Sequence, residues 1–231
     1  MLEIYNESVR DLLSPSVDEY NQPKVLNIRQ TSEGNVVQGL TEIEVLNTET
    51  VYSTMGRGTT NRAVGSHSMN LHSSRSHLIV SMKARGVDKH NGVTSKGKLH
   101  LIDLAGSERI SKTDAIGEQL KEAQAINNSL SALGNVINAL GQKKAAHIPY
   151  RNSKLTFLLA DSLGGNSKVM MFVNLSPVSY NMSESLCSLT FASRCRAVHL
   201  GNSKKNDDSD KREIKRLKNI IRKAGIAGGQ T

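Results

Sequence analysis

The chain has 231 residues, 37% hydrophobic and 22% charged, with a formal net charge of +9. That length predicts one domain with a tail, able to bury about 70% of its unfolded surface. No apolar run approaches the ~20 residues of a bilayer span, no basic-then-apolar leader opens the chain, and Cys187 and Cys195 are too few for a disulfide scaffold or a Cys-rich zinc site. The two thiols suit a reducing cytoplasm and plain helix packing. The basic balance predicts an acidic partner, and 3% aromatics with no Trp disfavours a stacking platform for nucleic acid.

The first predicted element is a strand at 1–7, with Leu2 and Ile4 alternating against Glu3 and Tyr5. Val9–Leu13 reads as a short helical turn stopped by Ser14-Pro15. Residues 16–35 are polar and turn-rich, and short strands are predicted near 25–29 and 36–45. Asn47 or Thr48 is the predicted cap of a helix through Val51 and Met55. Leu78, Val80, Met82 and Ala84 then alternate on one face of a strand, and Asn91-Gly92 is a hairpin signal. Residues 77–86 are therefore predicted to pair antiparallel with 94–104. The stretch 99–105 is continuously apolar, which predicts cover on both faces.

Apolar residues at 116, 120, 123, 126, 130, 133, 137 and 140 step by threes and fours, the period of a long amphipathic helix. Gly117 weakens its start and Gly141 is its natural stop. Ser153 or Asn152 is predicted to cap a helix through Leu155, Leu158, Leu159 and Leu163, closed by Gly164-Gly165. Residues 168–175 read as a second fully apolar strand ended by Ser176-Pro177. Ser183 is predicted to cap a final helix reaching about Val198. From 201 onward nine Lys/Arg meet four acids around a narrow stripe of Ile214, Leu217, Ile220 and Ile221, read as a basic neck or tail.

Two stretches carry chemistry. Asp103 ends the apolar strand, where a buried carboxylate needs a partner. A magnesium shell, usually through water, is one such partner, and Gly106 beyond it lets a backbone N–H approach a terminal phosphate. Asp-x-x-Gly alone fits a structural turn as well. The second stretch, NLHSSRSH at 70–77, collects hydroxyls and a guanidinium just before a strand. It fits a phosphate-facing loop closed by an Arg75–Glu108 pair, and equally a solvated Ser-rich loop.

NLHSSRSH at 70–77 and LIDLAGSER at 101–109 resemble the two nucleotide-sensing switch loops of the kinesin motor domain. LEIYNESVRDLL at 2–13, GTTNRAV at 58–64, INNSLSALGNVINAL at 126–140, HIPYRNSKLTFLLADSLGGNSKVMMFVNLSP at 147–177 and SESLCSLTFASRCRAV at 183–198 follow in the family's order. The resemblance covers about 1–200, a partial motor domain, and leaves 201–231 as a basic tail that is partly helical or unstructured. It implies an α/β fold: a three-layer, P-loop-NTPase-like mixed sheet flanked by helices. It implies ATP and Mg²⁺, with Asn70 in the nucleotide pocket and Ser73 and Gly106 at the γ-phosphate. Ser74 would join the Mg²⁺ shell, Asp103 would hold the ion through water, and Arg75 with Glu108 would close the site. Helix 122–140 would relay switch movement to the track. Lys143, Lys144, His147, Arg151 and Lys154 lie in an acid-free stretch suited to the acidic surface of microtubules. Ala197–Gly201 and the short basic tail resemble kinesins with C-terminal, minus-end-directed motors. The family implies a cytoplasmic, cytoskeletal setting, no membrane, and dimerisation through regions outside this chain.

One part of the pattern is missing. The phosphate cradle should read G-x-x-x-x-G-K-[ST] after a strand, and no Gly-Lys-Ser/Thr occurs in these 231 residues. In the family the cradle precedes the equivalent of MLEIYNE, so the chain resembles a motor domain without its N-terminal strands and P-loop. The cradle's strand would lie between 99–105 and 169–175, and its loss predicts an empty lane or a closed one. Little or no ATPase is then expected of the chain by itself. The competing expectation is a microtubule-binding module that does not hydrolyse ATP and acts beside an intact motor.

Overall fold

The computed structural model describes residues 1–14, 24, 26–31, 34–64, 74–90, 92–107, 117–142, 147–164, 167–198 and 217–220. The expectations at Asn70, Ser73, Glu108, Lys143 and Lys144, and nearly all of the 201–231 tail, lie outside the described residues. Two compact units divide the chain, Met1–Val80 with Leu101–Ser203, and Ser81–His100 with Lys204–Thr231.

The first strand is β1 (Leu2–Tyr5), and it turns directly into β2 (Ser8–Asp11). This corrects the helical turn expected at Val9–Leu13. The two residues between them, Asn6 and Glu7, both take positive φ, 47° and 56°. Two left-handed residues in a two-residue loop make a type I′ hairpin, whose twist matches that of the strands it joins. The pairing is antiparallel, Leu2 opposite Asp11 and Tyr5 opposite Ser8. Asp11 is buried and satisfied, its carboxylate accepting from the Leu13 and Thr41 amides at 2.8 and 2.7 Å.

A second hairpin, β3 (Ile28–Thr31) and β4 (Gly34–Val37), falls between the two short strands expected there. Helix α1 (Thr48–Val64) is capped by Asn47, whose Oδ1 accepts from the Thr50 amide at 2.8 Å. The long hairpin β5 (His77–Val87) and β6 (Thr94–Asp103) matches the reading from Asn91-Gly92, and the sheet order is β2-β1-β5-β6. The buried face of β5 carries His77 and Ile79, while Leu78 and Val80 are only half-buried.

Helix α2 (Glu118–Leu140) begins after Gly117 at φ 65° and buries Ile126, Leu133, Val136 and Ile137. The single helix expected after Ser153 is two short ones, α3 (Lys154–Leu158) and α4 (Ala160–Leu163), broken at Leu159. Ser153 caps α3 in a reciprocal box with Thr156. The last helix, α5 (Met182–Arg196), starts two residues earlier than a Ser183 cap allows; Asn181 is at its N-cap and makes no side-chain cap bond.

One core joins the sheet to the helices: Leu2, Ile4 and Ile79 meet Val136 and Ile137 of α2 and Leu155 and Leu158 of α3. Two expectations fail at the other side. The apolar stretch 99–105 is not covered, since Leu99 and Leu101 are 51% and 47% exposed, and only Ala105 is buried. Residues 168–175 form no strand, with Met170 and Phe172 79% and 81% exposed. A strand is not autonomous, because its amides and carbonyls need a ladder and its faces need cover. Among the described residues β6 ends the sheet order and no strand pairs with 168–175.

Candidate functional site

The ends of β5 and β6 bring the two chemistry-bearing stretches together. The Gly106 amide donates to the Ser74 carbonyl at 2.7 Å. One residue earlier, the Ala105 amide donates to Nδ1 of His77 at 3.0 Å. Ser74 and Asp103 therefore sit on adjoining segments, as the sequence predicts. Arg75 is half-buried beside Ser74.

Arg62, in the last turn of α1, organises the buried side of this junction. Its Nε lies 3.2 Å from Oε1 of Glu3 on β1. One terminal nitrogen donates to the Ser76 carbonyl and hydroxyl at 3.2 and 3.1 Å. The other lies 3.6 Å from Oδ2 of Asp103. The Ser76 hydroxyl donates in turn to Glu3 at 2.6 Å. Glu3 is fully buried, and a charge there stands only because cations and donors surround it. The Asp103 carboxylate is 70% exposed, so its remaining lone pairs face solvent.

His77 is buried, and burial lowers its pKa to about 4, with Asp103 opposing the shift and Arg62 adding to it. The ring is neutral at physiological pH. Nε2 meets the Ser129 hydroxyl of α2 at 2.7 Å.

The donors match a hard cation. A serine hydroxyl and a solvent-facing carboxylate are oxygen ligands of the kind Mg²⁺ takes, partly through water. The phosphate side is less complete, since the Gly106 N–H is engaged by Ser74 and no Gly-Lys-Ser/Thr loop occurs.

A second feature lies where the β1–β2 turn meets α3. A groove of about 510 Å³ is lined by Glu7, Arg29, Arg151, Lys154 and Phe157 among others. The Lys154 amide donates to Glu7 at 2.8 Å, and the Arg151 guanidinium stands 5.4 Å over the Phe157 ring. Arg151 and His147 are exposed and Lys154 is half-buried. Of the residues that the sequence groups as track-facing, Arg151 and Lys154 line this groove and His147 is not among its lining residues; Arg29, which the sequence does not single out, joins them through the β3–β4 hairpin. The sequence also misses Arg62, His77 and Ser129; all three lie inside quoted motifs, but nothing in their spacing says that they meet.

No helix among the described residues is long and apolar enough to cross a membrane. The family model for the kinesin motor domain matches residues 1–198. The chain is 52% identical over 224 residues to the kinesin-like protein KIN-14Q of Arabidopsis thaliana, covering 96% of this chain and 18% of that one. It is 51% identical over 222 residues to KIN-14E of Oryza sativa subsp. japonica, covering 96% and 20%. The structure of a fast kinesin aligns at TM-score 0.78 and 44% identity, over 90% of this chain and 57% of that chain. A KIF14 dimer with AMP-PNP, in complex with a microtubule, aligns at TM-score 0.78 and 35% identity, over 94% and 62%. The chain thus spans about a fifth of the curated relatives' length and under two thirds of these solved chains. The neighbours share an α/β fold with a mixed sheet flanked by helices. With adjoining switch-like loops, a matched family model over 1–198 and a shared fold, this chain belongs to the kinesin motor domain family.

Proposed function

We propose that the chain supplies the nucleotide-sensing and microtubule-contacting portion of an ATP-driven kinesin motor. The observation that carries this reading is the Gly106-to-Ser74 hydrogen bond, which joins the two loops that must move together when a γ-phosphate comes or goes. Ser74 and Asp103 would hold Mg²⁺, the latter through water, and Asn70, Ser73 and Gly106 would face the nucleotide. Arg75 and Glu108 would form the closing pair. When bound, the ion would supply charge neutralisation at the transferred phosphoryl group. The Ser74 carbonyl already holds the Gly106 N–H, so a phosphate oxygen at that amide would compete with it for the same donor.

The track-facing surface is Lys143, Lys144, His147, Arg151 and Lys154, to which the groove adds Arg29. Attraction between this surface and acidic tubulin is screened by salt. The location implied is the microtubule cytoskeleton, with residues 201–231 as a basic tail outside the motor portion.

A second reading is favoured by the absent Gly-Lys-Ser/Thr loop and by the bare 168–175 segment. By itself, this polypeptide grips microtubules without turning over ATP. Co-sedimentation with taxol-stabilised microtubules, with and without added ATP, tests both. Salt-sensitive binding that ignores ATP supports the second reading for the isolated chain. ATP-dependent release with ordinary nucleotide affinity would refute it and leave the first, and no binding at low salt would refute both.

A further inference from the structure

The described bonds around His77 define every proton in a short chain of contacts. The Ala105 N–H donates to Nδ1, so Nδ1 carries no hydrogen. The neutral ring must then carry its hydrogen on Nε2, which donates to the Ser129 hydroxyl at 2.7 Å. The Ser129 hydroxyl passes its own hydrogen to the Ile126 carbonyl at 2.7 Å, one turn back along α2. All three side-chain positions are buried. His77 also belongs to the β1–β5 ladder, opposite Ile4, so the ring is anchored to a rigid strand.

We propose that His77 is a positioning residue, the joint that ties the Ala105–Gly106 segment to helix α2 through one defined imidazole tautomer. A shift of the Ala105 amide away from Nδ1 frees the ring to rotate or exchange its hydrogen, and Ser129 then loses its donor. A buried donor or acceptor without a partner is costly, so the two ends cannot move independently without loss. The structure shows the link made, and breaking it at one end strands a buried polar group at the other, which is how displacement at one end would bias the other. This rests on the reading of 103–106 as the nucleotide-sensing segment, but the hydrogen-bond chain itself does not.

The test uses the whole 231-residue chain, ¹⁵N-labelled. A long-range ¹H–¹⁵N spectrum of the unsubstituted protein at neutral pH reports which ring nitrogen of His77 is protonated; Nε2–H is expected. Ser129→Ala then removes the far end. Hydrogen exchange at the Ala105 amide, which does not touch Ser129, is expected to accelerate by about threefold or more, while the β1–β2 ladder amides stay unchanged. Ser129→Thr, which keeps the hydroxyl, should restore slow exchange. An Nδ1–H ring, or an Ala105 amide indifferent to Ser129→Ala in a folded protein, would overturn the proposal. If Ser129→Ala does not fold, the tautomer and the Thr variant decide. Failure of microtubule binding would sink the functional reading and leave these spectra unaffected, so the two failures are distinguishable.

Discussion

Replacing Arg62 with methionine is the sharpest perturbation of the junction. The guanidinium is 12% exposed, and the Glu3 carboxylate it faces is 1% exposed. Breaking a buried pair by removing one partner costs about 3–5 kcal/mol, because the other charge stays buried. Arg10 stands 3.8 Å from the second Glu3 oxygen and the Ser76 hydroxyl still donates, so the lower end applies. The Asp103 arm contributes little, since that carboxylate is mostly in water. Arg62→Met is therefore expected to cost about 3 kcal/mol in urea unfolding followed by circular dichroism at pH 7. Adding Glu3→Gln removes the stranded charge, so the double variant should recover about 2 kcal/mol relative to the sum of the single changes. A cost of Arg62→Met below about 1 kcal/mol, or additivity of the two changes, would refute the account of Glu3 as a charge held by Arg62.

Other expectations follow from the same geometry. The lowered pKa of His77 means that the unfolded chain binds more protons between pH 6.5 and about 4, so its contribution to stability is present above pH 6.5 and is lost as pH falls through that window. The full shift corresponds to about 3 kcal/mol, and urea unfolding at pH 7 and pH 4.5 should show a decline that His77→Gln largely abolishes. Leu155→Ala, at a fully buried core position, should destabilise by about 3–5 kcal/mol in the same assay. Phe172→Ser and Met170→Ser should leave stability within about 0.5 kcal/mol yet reduce self-association in light scattering, since both side chains are largely exposed. Arg151→Ala should weaken microtubule co-sedimentation several-fold at low salt and flatten its salt dependence, because it removes one cation from the proposed track-facing groove.

Much of the site was legible because local chemistry wrote it. Ser74, Asp103 and Gly106 stand in the two motifs that resemble switch loops, and the β5–β6 hairpin that brings them together announces itself at Asn91-Gly92. The caps at Asn47 and Ser153 were readable for the same reason, since a cap is a bond within four residues. The β1–β2 hairpin was not, because Asn6-Glu7 is an unusual pair for a turn that needs two positive φ values.

What the order of residues determined by itself is the long helix, through its periodicity, the local caps, through short-range chemistry, and the family with its switch-like loops, through the resemblance of whole motifs. The tertiary structure alone decided which partner each buried polar group takes: Arg62 with Glu3, Ser76 and Asp103, and His77 with Ala105 and Ser129. It alone showed that the apolar residues at 99–102 and 168–175 lack cover. Hydrophobicity records what a segment is built to touch, whereas burial depends on whether the touching surface is there.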